Sequence, residues 1–412
     1  MLRLLTLSFL LLPALGWAAG YQVTYTATLE RDAPEAEVEI SLQGERLPSK
    51  LVLHLNPERH RELASESPLS VDGDEATWEP AGDGATLRYR FVIDATRDNG
   101  RYDSRKTDAW AILRSDKLVP PISVTSPPSL EATAQLAFRL PEGWSSAAPY
   151  AKVKGREHDY VIVDPGRRLP RPKGWLILGE FAARQDMIAG TDVRVAAPAG
   201  QGGRLQDALA FLGWTLPAVK AVFPDFPERL LIVTADDPMW RGGLSGTRSL
   251  FMHRDRPLIS GNRTSSLIHE LVHVGTAING GKQADWIVEG IAEYYAANIL
   301  WRTGGMSDYR YRQTLAWKEN WAAEADTLFR KRSSGPVTAR AAIFMHRLDL
   351  ALREASNGQY SIDDVARALA RHGGRVSLPL LKEIVAERVD DAVDVDALIA
   401  ELEGSGADAQ AT

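Results

Sequence analysis

The period of the hydrophobic pattern changes along the chain, and this change limits the folds that the chain can adopt. Apolar and polar residues alternate in Tyr21–Leu29, and similar alternation recurs as far as about Phe181. A period of two is typical of half-buried strands, and Gly- and Pro-containing turns separate these segments. From Leu205 onward, most of the apolar residues follow helical spacing instead. The pattern predicts an α+β multidomain fold that begins with an antiparallel β-domain.

The same change of period predicts the domain boundaries. With 412 residues, of which 44% are hydrophobic, the chain is long enough for several domains that each bury a core. We predict a β-sandwich-like domain in residues 19–190, a second domain of strands and helices in residues 191–305 and a C-terminal helical domain in residues 306–403. Residues 404–412 are small and polar, which is typical of a disordered tail.

The first residues have the pattern of an export signal. Arg3 precedes an apolar run that ends near Leu15 and is too short to span a bilayer comfortably. Gly16 and Ala18 are the small residues that a signal peptidase reads, so residues 1–18 are predicted to be a signal peptide. The alternative is an N-terminal membrane anchor. We expect an exported protein, periplasmic or secreted, with no membrane span after cleavage.

Composition excludes several functional classes. The chain has no cysteine, which excludes disulfide scaffolds, thiolate metal sites and cysteine nucleophiles. Its formal charge of -6 argues against a nucleic-acid partner, because nucleic-acid binders usually carry a basic face. Any metal site must therefore use histidine and carboxylate ligands.

One motif, HELVH at residues 269–273, predicts such a site. Residues four apart share one face of a helix, so His269 and His273 can present their imidazoles to a single metal ion. Glu270 lies about 100° around the helix, where it can reach a metal-bound water molecule. Two nitrogen ligands beside a carboxylate suit zinc. The alternative is a helix with incidental histidines.

A second segment, DWIVEGIAEYY at residues 285–295, offers a third ligand. Its apolar residues indicate a buried helix, yet Glu289 and Glu293 are one helical turn apart on one face. Buried carboxylates are costly unless they are paired or bound to metal. A metal in front of Glu289, with Glu293 hydrogen-bonded to a ligand imidazole from behind, would offset that cost. The alternative is a pair of exposed glutamates on a solvent-facing surface.

Taken together, HELVH and WIVEGIAEYY resemble the gluzincin metallopeptidases, in particular the aminopeptidase N and glycyl aminopeptidase groups. The resemblance implies a thermolysin-like catalytic domain with one zinc ion held by His269, His273 and Glu289. It implies hydrolysis of a peptide or protein substrate by a zinc-bound water molecule, with Glu270 as general base. The phrase LPEGW at residues 140–144 and the helical segments of residues 348–365 extend the resemblance over most of the chain.

The chain departs from this family at two functional positions. The family segment that holds a substrate's free amine corresponds to the predicted loop at residues 242–246, where Ser245 replaces its glutamate. The family tyrosine that stabilises the oxyanion corresponds to Val337 or Thr338. His346 is about two helical turns beyond Thr338, and we predict that it replaces this donor.

The sequence also permits other hypotheses about the oxyanion donor, the substrate-binding strand and the function. Tyr309 and Tyr311 are rival oxyanion donors. The strand predicted at Ser249–His253 could bind the substrate backbone as an added strand, or it could be purely structural. The chain could also be a binding or scaffold protein that retains a peptidase fold, or a hydrolase of a non-peptide substrate on the same fold.

Overall fold

The computed structural model of the chain describes residues 20–202 and 204–408. The predicted signal peptide, residues 1–18, lies outside the described residues, as does the end of the predicted tail, residues 409–412. No helix within the described residues is long and apolar enough to cross a membrane.

The N-terminal part of the chain, which we call the β-domain, consists of strands and one short helix. In chain order these elements are β1 Gly20–Leu29, β2 Glu35–Gln43, β3 Lys50–His54, β4 His60–Ser65, β5 Leu69–Asp72, β6 Glu75–Trp78, β7 Gly84–Val92, β8 Ala95–Thr96, β9 Tyr102–Lys106, β10 Trp110–Arg114, α1 Ser115–Leu118, β11 Ile122–Thr125, β12 Glu131–Arg139, β13 Ser145–Ala147, β14 Ala151–Lys152, β15 Asp159–Ile162 and β16 Trp175–Gly179.

Three sheets form the β-domain. Their strand orders are β14-β15-β12-β1-β2-β7-β4, β11-β3-β6-β5 and β13-β16-β10-β9-β8. Strand β1 shows why the alternating sequence folds in this way, because every second side chain from Tyr21 to Leu29 is buried. The prediction of an antiparallel domain is wrong for one pair of strands, since β1 and β12 are parallel.

The remainder of the chain contains one sheet, a short strand pair and a series of helices. In chain order these elements are β17 Phe181–Ile188, β18 Thr191–Pro198, α2 Leu205–Val222, β19 Arg229–Ala235, β20 Gly243–Gly246, β21 Ser249–His253, α3 Ser266–Thr276, β22 Ile278–Gly280, α4 Asp285–Arg302, α5 Asp308–Ala322, α6 Pro336–Ala355, α7 Ile362–His372, β23 Gly374–Val376, α8 Leu378–Val389 and α9 Val395–Asp408.

Strands β17 to β21 form a mixed sheet, which we call the central sheet, in the order β17-β18-β19-β21-β20. It begins at Phe181, earlier than the boundary predicted at residue 191. The segment at residues 242–246 was predicted to be a loop, but most of it is the edge strand β20. Strand β21 lies between β19 and β20. Its two edges are therefore occupied, and the prediction that it binds substrate as an added strand is wrong.

One continuous hydrophobic core runs from Ile188 to Leu402 and joins the helices around the metal motif with the C-terminal helices. Close packing within it depends on Gly290 of α4. A Cβ atom at this position would lie 2.8 Å from the Cβ of Ala341 on α6. Glycine therefore permits the two helices to approach. At the C-terminus, α9 continues to Asp408, past the predicted end of the helical domain at residue 403.

A smaller core holds the central sheet against the β-domain. Trp175 of β16 packs on Phe251 of β21, with 5.3 Å between the ring centroids. The indole N–H of Trp175 also donates to the backbone carbonyl of Leu244 at 2.9 Å. The β-domain thus fixes the position of the edge strand β20, which lies beside helix α3.

Candidate metal centre

The N-terminal cap and the buried side chains of helix α3 determine which way the HELVH motif faces. Ser265 caps its N-terminus by accepting the backbone N–H of Ile268 at 3.3 Å. Leu267, Ile268 and Leu271 are buried against the rest of the core. Because these apolar residues fix one side of the helix, the two histidines face α4.

The structure brings His269 and His273 of α3 together with Glu289 of α4, and we call these three residues the metal cluster. The Nε2 atoms of the two imidazoles are 3.1 Å apart. The carboxylate oxygens of Glu289 lie 3.3 Å from Nε2 of His269 and 3.5 Å from Nε2 of His273. One ligand atom from each residue lies within 4.8 Å of the others, a spacing at which one ion can contact all three.

The metal cluster combines groups of opposite charge. Burial acts to lower the pKa of His269, but Glu289, Glu293 and Glu270 outweigh it and raise that pKa well above its ordinary value, so a metal ion must displace a proton from this imidazole. Burial and the neighbouring His269 lower the pKa of His273 to about 4, so this imidazole is neutral at pH 7. Burial would raise the pKa of Glu289, but the hydrogen bond and charge of His269 outweigh it and lower that pKa. A neutral imidazole and an ionised carboxylate are the forms that bind metal.

Glu293 lies behind His269, where the sequence predicted it. Its Oε2 atom is 3.1 Å from Nδ1 of His269, and its Oε1 atom accepts a hydrogen bond from the ammonium of Lys318 on α5. Burial acts to raise the pKa of Glu293, but Lys318 and His269 outweigh it and lower that pKa to about 2. Glu293 is therefore ionised at neutral pH and holds the Nδ1 side of the imidazole.

Sequence reasoning missed Lys318, although a signal for it exists. Buried positions on α5 include Tyr311, Thr314, Lys318 and Ala322, which lie three or four residues apart on one helix face. A lysine on such a face must have an acidic partner, because an unpaired buried ammonium is costly. The sequence does not show which of the many carboxylates that partner is.

Glu270 lies between the metal cluster and the edge strand β20. A Cβ atom at Gly243 would lie 2.6 Å from Cγ and 2.7 Å from Oε1 of Glu270. Glycine is therefore required for the carboxylate to occupy this place. Burial raises the pKa of Glu270, while His269 and the backbone and hydroxyl hydrogen bonds from Ser245 oppose that rise. A buried carboxylate with a raised pKa is suited to accept and return a proton.

Strand β20 has one open edge beside Glu270. The N–H of His253 donates to the carbonyl of Gly242 at 3.1 Å, so alternate residues of β20 face its partner strand β21. The backbone groups of Gly243 and Ser245 therefore point away from β21. Ser245, which replaces the family's amine-binding glutamate, directs its N–H and hydroxyl at Glu270.

The predicted oxyanion donors are in different surroundings. His346 lies on α6 with its ring centroid 6.4 Å from those of Tyr294 and Tyr311. Its Nδ1 atom is buried without a hydrogen-bond partner in the described part of the chain. Tyr311 is buried, and its hydroxyl accepts from the side-chain amide of Asn298. Tyr309 is 65% exposed.

These contacts do not join any of the three candidate donors to the metal cluster. Val337 or Thr338, at the start of α6, replaces the family tyrosine. The described contacts do not identify another residue that takes over its role as oxyanion donor. The role of His346 therefore stays a prediction.

A second group of potential metal ligands contains one imidazole and two carboxylates instead of two imidazoles and one carboxylate. Asp236, His253 and Asp255 also offer ligand atoms within 4.8 Å of one another. Nδ1 of His253 accepts the backbone N–H of Asp255 at 3.2 Å, and Arg254 forms an ion pair with Asp236. Nδ1 of His253 and the carboxylate of Asp236 therefore already have protein partners, whereas Nε2 of His253 is buried without a hydrogen-bond partner among the described residues.

Comparison with known proteins supports the fold. No protein-family model matches the sequence, and no curated protein matches it. Among solved structures, an aminopeptidase N family protein from Idiomarina loihiensis aligns with a TM-score of 0.67 and 14% identity, over 92% of this chain and 75% of that chain.

Two further solved structures align over a similar part of the chain. An M1 zinc metallopeptidase from Deinococcus radiodurans aligns with a TM-score of 0.59 and 16% identity, over 93% of this chain and 92% of that chain. Leukotriene A4 hydrolase from Saccharomyces cerevisiae aligns with a TM-score of 0.57 and 13% identity, over 92% of this chain and 68% of that chain. The chain therefore has the gluzincin fold of the M1 aminopeptidase-like zinc metallopeptidases.

Proposed function

We propose that this protein is an exported, zinc-dependent peptidase. The observation that supports it best is the convergence of His269, His273 and Glu289 on one point, with the buried carboxylate of Glu270 beside them. One of the similar structures is an M1 zinc metallopeptidase from Deinococcus radiodurans, and a variant of that enzyme was solved with a Tyr-Ser-Ala substrate. Export rests on the pattern of residues 1–18.

The donor set is that of a catalytic zinc site. Two imidazole nitrogens and one carboxylate provide three protein ligands, which leaves a coordination position for water or substrate. The side chains of His269, His273 and Glu289 are 16%, 13% and 27% exposed, so each of the three is mostly buried yet partly accessible to solvent. Bound zinc would acidify a water molecule and polarise a scissile carbonyl.

The chain's own residues supply the proton transfers. Glu270 accepts the proton of the attacking water molecule and delivers it to the leaving amine. The N–H and hydroxyl of Ser245 favour the ionised form of the Glu270 carboxylate, because hydrogen bonds from them lower its pKa. Glu293 holds the imidazole of His269 so that Nε2 faces the metal cluster.

The open edge of β20 is the part of the central sheet that can bind an extended substrate. Gly243 presents its outward-facing backbone groups beside Glu270, where a peptide could pair as an added strand. Gly243 has no side chain and Ser245 a small one, so neither obstructs that approach. This geometry favours a peptide substrate over a compact small molecule.

The proposed activity can be tested by digestion of a peptide library with protein from which metal has been removed by chelation. We expect no cleavage until zinc is restored, and cleavage at about one equivalent per chain. The control is the same titration with magnesium, which prefers oxygen ligands and should not restore activity. Zinc binding without any cleavage would instead support a binding or scaffold protein.

The serine at position 245 leads to a prediction about cleavage at the free N-terminus of a peptide. No carboxylate replaces the missing family glutamate at this position, and a buried substrate ammonium without a partner is costly. We expect internal cleavage, or weak and broad activity at free N-termini. Acetylating the N-terminus of each peptide should therefore leave its cleavage rate nearly unchanged. Efficient stepwise removal of N-terminal residues that acetylation abolishes would contradict this prediction.

The oxyanion donor is proposed to be His346. Negative charge grows on the carbonyl oxygen in the tetrahedral intermediate, and one lost donor typically costs about 100-fold in rate. We expect His346→Ala to lower kcat by roughly that factor with zinc retained and KM little changed. An unchanged kcat in this variant, with slower turnover in Tyr309→Phe or Tyr311→Phe, would place the donor on α5.

A further inference from the structure

We propose that Lys318 is a positioning residue of the metal centre, which acts through Glu293 on His269. The inference rests on the proposed zinc site and extends it to helix α5, which contributes none of the three residues of the metal cluster. Lys318 is 45 residues beyond His273 in sequence. Its ammonium nevertheless reaches the carboxylate that supports a proposed metal ligand.

The burial of Lys318 calls for a specific explanation. The side chain is 1% exposed, on a helix face that it shares with Tyr311 and Thr314. Removing an ammonium from water has a large desolvation cost even after relaxation of the protein. An apolar residue of similar length would fill this position without that cost, so the charge itself must contribute something that a hydrophobic side chain cannot.

Each carboxylate oxygen of Glu293 contacts a different partner. Oε2 faces Nδ1 of His269 at 3.1 Å, and Oε1 faces Nζ of Lys318. The ion pairs of Glu293 in the described residues are those with His269 and Lys318. Lys318 therefore fixes the rotation of the carboxylate from one side, and the other oxygen is left to accept the Nδ1–H of His269. This tautomer leaves the lone pair of Nε2 directed at the metal cluster.

Attachment of α5 to the protein does not depend on Lys318 alone. Glu319, the next residue, forms an ion pair with Arg347 of α6 at 2.6 Å. Tyr311 of α5 stacks on Trp301 of α4, with 4.7 Å between the ring centroids. If Lys318 only attached α5, its loss would remove one of several such contacts. If Lys318 positions the metal centre, its loss should weaken metal binding specifically.

The test is the zinc affinity of the full chain, measured by competition with a chromophoric chelator. Lys318→Met keeps the length of the side chain and removes its charge. We expect it to weaken zinc binding by roughly 10- to 100-fold, the effect typical of partners that orient metal ligands. Lys318→Arg should recover most of the loss. The matched control is Arg347→Met, which breaks the neighbouring α5–α6 ion pair and should leave zinc affinity unchanged.

Two further measurements separate positioning from folding. The double variant Glu293→Gln with Lys318→Met leaves neither partner as an unpaired buried charge, and we expect its zinc affinity to equal that of Glu293→Gln alone. In cobalt-substituted protein, the visible absorption bands should shift in Lys318→Met and not in Arg347→Met, because the bands report ligand geometry.

The outcomes separate this inference from the proposed function. If wild-type protein binds zinc and Lys318→Met binds it equally well with unchanged cobalt bands, the role of Lys318 is wrong and the zinc site stands. If Glu293→Gln and the double variant differ in affinity by as much as wild type and Lys318→Met do, Lys318 does not act through Glu293. If wild-type protein binds no zinc, both the site and the inference are wrong.

Discussion

Glu270→Gln is expected to abolish nearly all peptide hydrolysis while zinc binding stays intact. Glutamine has the shape of glutamate but cannot accept the proton of the attacking water molecule. Loss of a general base typically costs on the order of 10²- to 10⁴-fold in rate. Ser245 can still donate to the amide oxygen of the new side chain, so the local structure should be preserved. The measurement is kcat together with the zinc content of the same samples.

A matched control is Glu383→Gln. Glu383 is an exposed glutamate on helix α8, which follows the metal motif by about 100 residues in the sequence. Its kcat should equal that of wild type. Full activity in Glu270→Gln would contradict the proposed mechanism. Equal loss of zinc and of activity would assign Glu270 to metal binding instead of proton transfer.

Glu289→Gln is expected to lower zinc affinity, and turnover at limiting zinc should fall with it. The substitution removes the only carboxylate of the metal cluster. It also removes the negative charge that faces Nε2 of His269. The loss of affinity should exceed the roughly 10- to 100-fold that is typical of residues behind the ligands. It is measured by chelator competition, in parallel with peptide cleavage.

Excess zinc distinguishes the two glutamate variants. It should restore part of the activity of Glu289→Gln, because the amide oxygen can still contact the ion. It should restore none in Glu270→Gln, where binding is already intact. Unchanged zinc affinity in Glu289→Gln would mean that Glu289 is not a ligand.

The parts of the site that were predicted from sequence are those set by local geometry. The spacing of His269 and His273 determines their common face on any α-helix, and the same applies to Glu289 and Glu293. Local rules suffice for such features.

The parts that were missed depend on contacts between distant segments. The pairing of β1 with β12 joins residues about a hundred positions apart, and alternation alone does not reveal the direction of a partner strand. Strand β20 is short and rich in glycine, so it has no side-chain pattern and was predicted to be a loop. The partner of Lys318 is on a different helix. Only the folded arrangement identifies it.

The most direct test of the proposed metal centre is an anomalous difference map collected at the zinc absorption edge from crystals of the zinc-loaded protein. We predict one strong peak per chain, about 2.0–2.2 Å from Nε2 of His269, Nε2 of His273 and a carboxylate oxygen of Glu289. A peak between Asp236, His253 and Asp255 with none at the metal cluster would contradict the account, as would the absence of any peak at saturating zinc.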